Sequence, residues 1–212
     1  GKAFMERMNF KLPPWAFWSH TEWKNNLENT SEIRNNLLGW DITDFGSNDF
    51  YKRGLFLFTI RNGNLSRDKK PYAEKIMIVE EEQETPMHFH WNKMEDIINR
   101  GGGNLVLELF NATDDNQLDS TNITIQMDGV RRVFKPGEKV ILTPGESITF
   151  TQKIYHRFYG EKGKGPVLVG EVSMVNDDAN DNCFLEEVGR FPDIVEDEAP
   201  LHLLVGDYTR FI

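Results

Sequence analysis

The stretch TPMHFHWNKME, residues 85–95, holds two of the chain's five histidines, one residue apart, and a glutamate five positions after the second. Side chains alternate faces along a β-strand, so His88 and His90 point to the same face. Pro86 is typical of a strand start, which would place the pair near an open rim. Glu95 follows a turn, where a returning strand would bring its carboxylate to the two imidazoles. Such a group suits Mn, Fe, Co, Ni or Zn; the alternative is an exposed strand pair beside surface charge.

A fourth candidate ligand changes the balance between these two interpretations. His156 lies in IYHRFYG, on a later predicted strand, eleven residues after Gly145 of the turn sequence TPGES. Two histidines and a glutamate, followed by a distant strand histidine, form a more specific pattern than His-x-His alone. We therefore expect a metal site at His88, His90, Glu95 and His156.

Most of the chain outside this stretch also predicts β-structure. Segments rich in β-branched and aromatic residues are separated by Gly, Asn and Asp, which is the pattern of short antiparallel strands. Asp128-Gly129 predicts a two-residue hairpin turn, and Gly160–Gly165 predicts a second hairpin. Many short strands at regular spacing favour an antiparallel sandwich or barrel. The predicted strands lie at 54–63, 74–83, 104–112, 122–134, 138–150, 154–175 and 201–208.

The first part of the chain differs from the rest in composition. Residues 1–50 are rich in Trp, Pro, Asn and charge, so we expect a helical or irregular extension ahead of a β-barrel domain at 51–212. Ser19 or Thr21 is a plausible N-cap for a helix, and a second short helix within 32–40 should stop at Gly39. His20 in this extension and His202 near the C-terminus lack metal-like spacing, and both are interpreted as structural or surface residues.

Composition limits the classes of function. The 212 residues carry a net charge of -10, which disfavours nucleic-acid binding. No apolar run approaches the ~18 residues that a membrane span needs. The single cysteine, Cys183, excludes an intrachain disulfide and favours a reducing, cytoplasmic location. The opening Gly1-Lys2 is not a typical natural start and indicates a trimmed chain or a tag remnant.

The four candidate ligands resemble the two motifs of the cupin superfamily. The first motif, His-x-His followed by Glu and Gly, matches His88, His90, Glu95 and Gly102. The second keeps its spacing from Gly145 to His156, although Thr151 and Lys153 replace its usual Pro and second Gly, and Glu82 replaces the glycine that usually precedes the first motif's histidines. These departures affect turns and leave all four ligands in place. The resemblance implies an all-β double-stranded barrel, or jelly roll, with a ligand pocket inside.

Longer strings carry a closer resemblance, to the D-lyxose isomerase family within the cupins. The main ones are residues 72–112, with the unusual HFHWNKMEDIINRGGGNL, and residues 170–200; LGWDITDFGSNDF at 38–50 and YKRGLFLFTIRNG at 51–63 extend it over most of the chain. The resemblance implies an aldose–ketose isomerase that interconverts D-lyxose and D-xylulose and acts on D-mannose and D-fructose. It also implies Mn(II) as the usual metal, with Zn, Co, Fe and Ni as alternatives, and a homodimer.

The same resemblance implies roles for further residues. Lys93 stands where the family places a catalytic lysine, and a cation nearby would lower its pKa and assist proton transfer. A second acid/base carboxylate is expected in the C-terminal segment and is assigned to Glu187. The polar stretch VNDDANDN, residues 175–182, is either an ordinary loop or a rim that binds sugar hydroxyls. Asp181, Asn182 and Arg190 are the substrate-binding candidates.

Two other functions fit the same ligands. A cupin dioxygenase with Fe(II) would use three histidines and a glutamate, and a sugar-binding cupin would bind without catalysis. Lys93 and the acid-rich stretch at residues 175–182 favour the isomerase, because proton transfer needs both an acid and a base. No cluster of basic residues is dedicated to a phosphate, so the sequence favours an unphosphorylated sugar over a sugar phosphate.

Overall fold

The computed structural model describes residues 1–177, 180–189 and 198–212. Short helices open the chain: α1 (Lys2–Arg7), α2 (His20–Asn25) and α3 (Ser31–Asn35), with single 3-10 turns at Pro14–Phe17 and Leu27–Asn29. Ser19 is the N-cap of α2, since its hydroxyl accepts from the Glu22 N–H while the Glu22 carboxylate accepts from the Ser19 N–H. One of the two predicted caps is thereby confirmed.

The rest of the described chain is mainly antiparallel strand, arranged as two sheets. The strands are β1 (Gly39–Thr43), β2 (Leu55–Arg61), β3 (Tyr72–Val79), β4 (His88–His90), β5 (Glu95–Gly102), β6 (Leu105–Asn111), β7 (Ile123–Met127), β8 (Val130–Phe134), β9 (Lys139–Leu142), β10 (Ser147–Phe150), β11 (Ile154–Gly160), β12 (Val167–Met174) and β13 (Asn182–Phe184). The eight-stranded sheet has the order β1-β2-β3-β12-β5-β10-β7-β8, and the five-stranded sheet has the order β13-β4-β11-β6-β9. This architecture confirms the predicted all-β, cupin-type jelly roll.

The main apolar core fills one end of the space between the sheets. Alternate residues of β6, such as Leu105, Leu107 and Leu109, are completely buried there with Val167 and Val169 of β12. Their spacing of two places them on one face of each strand. Because the core occupies one end of the barrel, the other end is left for a polar cavity.

A second apolar cluster covers the outer face of the eight-stranded sheet. Phe4 and Met5 of α1 pack with Trp40 of β1, Phe58 of β2 and Ile76 of β3. Strand β3 is therefore buried on both faces along most of its length. The N-terminal residues thus supply both a cover for the sheet and its edge strand β1, although the boundary predicted at residue 50 remains a prediction.

The segment at 201–208 was predicted to be a strand, and that prediction is wrong. The chain there forms a 3-10 turn, Val205–Asp207, followed by helix α4 (Tyr208–Phe211). The Asp207 carboxylate accepts from the Leu204 N–H at 2.9 Å, which starts the turn. Leu203 and Tyr208 pack on Trp23 of α2, so these apolar residues are buried without alternating as in a strand.

Two turn predictions also differ from the structure, and one agrees. Asp128 and Gly129 both have positive φ between β7 and β8, as the predicted hairpin requires. Helix α3 ends at Asn35 rather than at Gly39, because Leu37 takes a left-handed φ of 53 and Gly39 begins β1. The turn after Gly160 does not form a hairpin, since β11 and β12 belong to different sheets.

Among the described residues, no helix is long and apolar enough to cross a membrane.

Candidate metal centre

Three histidines meet at the inner face of the five-stranded sheet. His88 and His90 lie on β4 with one residue between them, and His156 of β11 is the register partner of His88. Their candidate ligand atoms all lie within 4.8 Å of one another. The predicted convergence of the His-x-His pair and the distant histidine is therefore present, and antiparallel pairing of β4 with β11 produces it.

Glu95 approaches the histidines from the facing sheet. It is the first residue of β5, and its Oε1 lies 3.3 Å from His90 Nε2 and 3.0 Å from His156 Nε2. Neither imidazole nitrogen makes a hydrogen bond of acceptable geometry to a described residue, in spite of these short distances. All four predicted ligands thus come together at one point between the two sheets.

The hydrogen bonds of the rings indicate their tautomers. His88 Nδ1 lies 2.8 Å from the Pro86 carbonyl oxygen, and His156 Nδ1 lies 3.0 Å from the Ile154 carbonyl oxygen. A carbonyl only accepts, so each Nδ1 carries a proton, and Nε2 is the ring nitrogen that remains for a metal. Burial lowers the pKa of His88 and of His90, which favours the neutral imidazoles that a metal requires.

These observations fit a bound divalent cation. Burying a polar atom without a partner is costly, yet both ring nitrogens of His90 and Nε2 of His156 lack hydrogen-bond partners among the described residues. Burial acts to raise the pKa of Glu95, but Lys93 and the neighbouring histidines outweigh it and hold that pKa well below the ordinary value. Imidazole nitrogens around an ionised carboxylate match the donor set of first-row transition metals.

Lys93 is buried beside the centre, as its position between two ligands predicts. Its Nζ lies 2.8 Å from Glu95 Oε2 and 3.0 Å from Glu171 Oε1. Burial lowers the pKa of Lys93, but the charges of Glu171 and Glu95 outweigh burial and raise it above the ordinary value. The sequence-based expectation of a lowered Lys93 pKa considered only a nearby cation. The structure adds the carboxylates of Glu95 and Glu171, whose negative charges raise that pKa.

Glu171 is the buried carboxylate that the sequence interpretation missed. It lies on β12, where Lys93, Lys75 and the Ser173 hydroxyl approach its Oε1 at 3.0, 3.3 and 3.1 Å. Burial acts to raise the pKa of Glu171, but the two lysine charges outweigh it and lower the pKa below the ordinary value. A signal was available, because Val167, Val169 and Glu171 alternate along one strand and so share its inward face.

These groups line one cavity at the polar end of the barrel. Polar side chains from four strands of the larger sheet contribute to its wall, among them Asp41, Thr43 and Lys75. The lining also includes apolar residues such as Met77 and Phe184. A cavity with both polar and apolar lining residues, next to a candidate metal centre, suits a small polyhydroxylated ligand.

The other predicted site residues have different positions. Asn182 lines the cavity, but Asp181 does not belong to the described lining. The Asp181 carboxylate instead accepts hydrogen bonds from the turn that carries Lys93. Glu187 is exposed and is not part of the described lining, so the carboxylate beside Lys93 is Glu171 and not Glu187. Arg190 lies outside the described residues.

The two remaining histidines lie away from the centre. His20 stacks on Phe211, and His202 packs edge-on against Phe17. Both rings contact aromatic side chains of the chain termini, as expected for structural residues.

The sequence matches known proteins over nearly its whole length. The sequence matches the D-lyxose isomerase family over residues 1–208. It is 51% identical to a D-lyxose/D-mannose isomerase of Serratia proteamaculans, with 99% of this chain and 93% of that protein covered. It is 47% identical to a D-lyxose/D-mannose isomerase of Escherichia coli O157:H7, with 99% and 94% covered.

Similar folds occur among solved structures. L-ribose isomerase of Cellulomonas parahominis without ligand aligns with a TM-score of 0.58 at 14% identity, over 90% of this chain and 91% of that chain. The same enzyme with L-ribose gives a TM-score of 0.56 at 14% identity, over 89% of each chain. At this level of identity the likeness shows a shared fold.

Proposed function

The chain belongs to the D-lyxose isomerase family and is an aldose–ketose sugar isomerase, and we propose that it is metal-dependent and interconverts D-lyxose with D-xylulose and D-mannose with D-fructose. One observation carries the proposal: the buried Lys93–Glu171 pair lies beside the four candidate ligands in the same cavity. It supplies a base and an acid where this reaction needs them.

Isomerisation moves one proton from C2 to C1 and a second from O2 to O1. Glu171 is ionised at neutral pH, because its pKa lies below the ordinary value. Its Oε1 receives three short contacts, whereas the nearest described donor to Oε2 is Lys75 Nζ at 3.5 Å. We assign Oε2 as the base that takes the proton from C2 and returns it to C1.

Lys93 is suited to the proton transfer between oxygens. Its raised pKa means that the side chain begins as an ammonium. It can therefore donate a proton to O1 and accept one from O2, and it ends the reaction in the state in which it began. The carboxylates of Glu95 and Glu171 hold Nζ in place from two sides.

His88, His90, Glu95 and His156 would hold the metal. A divalent ion held there would supply Lewis-acid chemistry, which polarises a carbonyl and acidifies the adjacent C–H. Mn(II) is our first choice, and Co, Zn, Fe and Ni are the alternatives that the donor set allows. Asn182, which lines the cavity, is assigned to binding of sugar hydroxyls.

The decisive experiment is a panel of aldoses and ketoses. Protein stripped of metal is assayed alone and after addition of Mn(II), Co(II), Zn(II), Fe(II) or Ni(II), with oxygen consumption followed in parallel. We expect xylulose from lyxose and fructose from mannose, without oxygen uptake. Failure to form a ketose with every metal would overturn the proposal, and oxygen uptake would favour a dioxygenase.

Assembly and location complete the proposal. A homodimer in the cytoplasm agrees with the family resemblance and with the single cysteine. Light scattering coupled to gel filtration measures the assembly, and cell fractionation with an antibody measures the location. A monomeric mass or an extracytoplasmic fraction would contradict the respective part.

A further inference from the structure

Lys75 is a buried lysine that the proposed reaction does not yet use. It lies on β3, is 5% exposed and contributes to the cavity wall. Burying an ammonium is costly unless opposite charge and hydrogen bonds compensate. The Asn176 side-chain oxygen at 2.7 Å and the Glu171 carboxylate at 3.3 Å contribute to that compensation.

The sheet register places Lys75 directly beside Glu171. In the antiparallel pair of β3 with β12, Lys75 and Glu171 are register partners. Directly opposed residues have Cβ atoms about 4.5–5.5 Å apart, close enough for the side chains to interact. On the other side of β12, Glu171 is opposite Ile97 of β5, so Lys75 is its charged cross-strand neighbour.

Lys75 and Lys93 contact the same oxygen of Glu171 from different parts of the fold. Lys93 comes from the turn between β4 and β5, whereas Lys75 comes from β3. Two cations and the Ser173 hydroxyl around Oε1 leave Oε2 with a single long contact among the described residues. Oε2, whose long contact also comes from Lys75, is therefore the oxygen with fewer contacts.

We propose that Lys75 is a positioning residue of the isomerase, which fixes the orientation and charge of the Glu171 carboxylate. This inference rests on the proposed function and deepens it. The charged groups described around Glu171 are Lys75 of β3, Lys93 of the turn and Glu95 of β5. Burial has the largest effect on the pKa of Glu171 and raises it. Among the charged groups, Lys75 makes the largest contribution that lowers this pKa.

If the Lys75–Glu171 ion pair were purely structural, its substitution would change stability and not the properties of the Glu171 carboxylate. Replacing a buried ion pair by apolar groups is often neutral for stability, but removing one partner leaves the other charge uncompensated. In this protein Lys93 would remain on Glu171, so loss of Lys75 leaves the carboxylate with one cation. We expect a Glu171 carboxylate with a higher pKa and a less defined orientation, rather than loss of the cavity.

The test compares Lys75→Met and Lys75→Arg with wild type in the metal-loaded enzyme. For Lys75→Met we expect kcat to fall about 10- to 100-fold with KM changed less than about threefold, as for a misplaced catalytic group. The acid limb of its kcat–pH profile should move to higher pH by about one unit, because an opposite charge near Glu171 is lost. Lys75→Arg should recover a substantial part of kcat and return the acid limb toward wild type.

Lys139→Met provides a matched control. Lys139 of β9 is also the antiparallel register partner of a glutamate, Glu108, but it is exposed and does not belong to the described cavity lining. Its activity and pH profile should match wild type. If Lys75→Met does not fold, Lys75→Gln takes its place, since an amide can still donate to Asn176.

Each outcome separates this inference from the proposed function. A wild-type enzyme that isomerises no sugar overturns the proposed function itself. An active wild type with an unchanged kcat and acid limb in Lys75→Met overturns only the role of Lys75. A rise in KM at constant kcat also overturns it, because it would make Lys75 a binding group for sugar.

Discussion

Lys93 and Glu171 are held at 3.0 Å from each other inside the barrel, and the charge state of each depends on the other. Each charge reduces the cost of burying the other, so removing one partner affects both. The predictions at the scale of single residues concern this pair.

Lys93→Met should abolish most of the isomerisation while leaving binding in place. Methionine keeps the length of the side chain but cannot carry a proton, so we expect kcat to fall by about 10²- to 10⁴-fold, the usual contribution of one acid/base group. Metal content by plasma mass spectrometry and sugar affinity by calorimetry provide the controls. Full activity in this variant would show that proton transfer does not need Lys93.

Glu171→Gln should change how stability depends on pH. A carboxylate whose pKa is lowered in the folded state stabilises the protein above its unfolded pKa of about 4.3, and that stabilisation is lost as pH falls toward the folded pKa. Urea unfolding of chelator-treated protein between pH 7 and pH 3 measures the effect. Wild type should lose stability across the acid range more steeply than Glu171→Gln; equal slopes would contradict the ionised, buried Glu171.

At the scale of elements, the turn between β4 and β5 determines where Lys93 lies. Asp181, just before β13, accepts the Asn92 N–H at 2.8 Å and the Lys93 N–H at 3.0 Å. Its backbone carbonyl accepts the Trp91 N–H at 3.0 Å. Asp181, which was predicted to bind substrate, therefore fixes the conformation of the loop between the candidate metal ligands His90 and Glu95.

Asp181→Asn should reduce catalysis through this turn. An amide replaces one acceptor oxygen with a donor, so at least one backbone N–H of the turn loses its partner. We expect kcat to fall about tenfold or more with KM and metal content close to wild type, as displacement of a catalytic group by about 1 Å can cost up to about 100-fold. A large rise in KM alone would instead support the predicted sugar contact.

At the scale of the whole molecule, the candidate centre joins the two sheets. Three ligands come from β4 and β11 of one sheet, and Glu95 comes from β5 of the other. A metal bound there would stabilise the folded state by mass action, since the four donors are separated along the unfolded chain.

Removal of the metal should therefore lower the thermal midpoint. At a free metal concentration of about 100 times Kd the gain is about 2.7 kcal/mol, which corresponds to about 5–10 °C for a chain of this size. Calorimetry with and without a chelator measures the shift, and re-addition of Mn(II) should restore it. His156→Ala is the control, because its midpoint should hardly respond to the chelator.

Local patterns in the sequence predicted much of this protein. Spacing of two placed His88 and His90 on one face, and alternation of apolar residues indicated an all-β fold. The same local reasoning failed at 201–208, where apolar residues are buried by a short helix. It also failed after Gly160, because a turn signal does not show whether the next strand pairs with the previous one or joins the other sheet.

The sequence by itself determined the fold class, the four candidate ligands and Lys93, because each depends on spacing over a few residues or on a family motif. Only the tertiary structure identified Glu171 and Lys75 as neighbours in the site and placed Asp181 on the turn. Those contacts join residues about 80 to 100 positions apart, as between Lys75 and Glu171 with a separation of 96. The physical reason is that strand order and register decide which inward-facing charges meet, and periodicity along one strand carries no information about its partner.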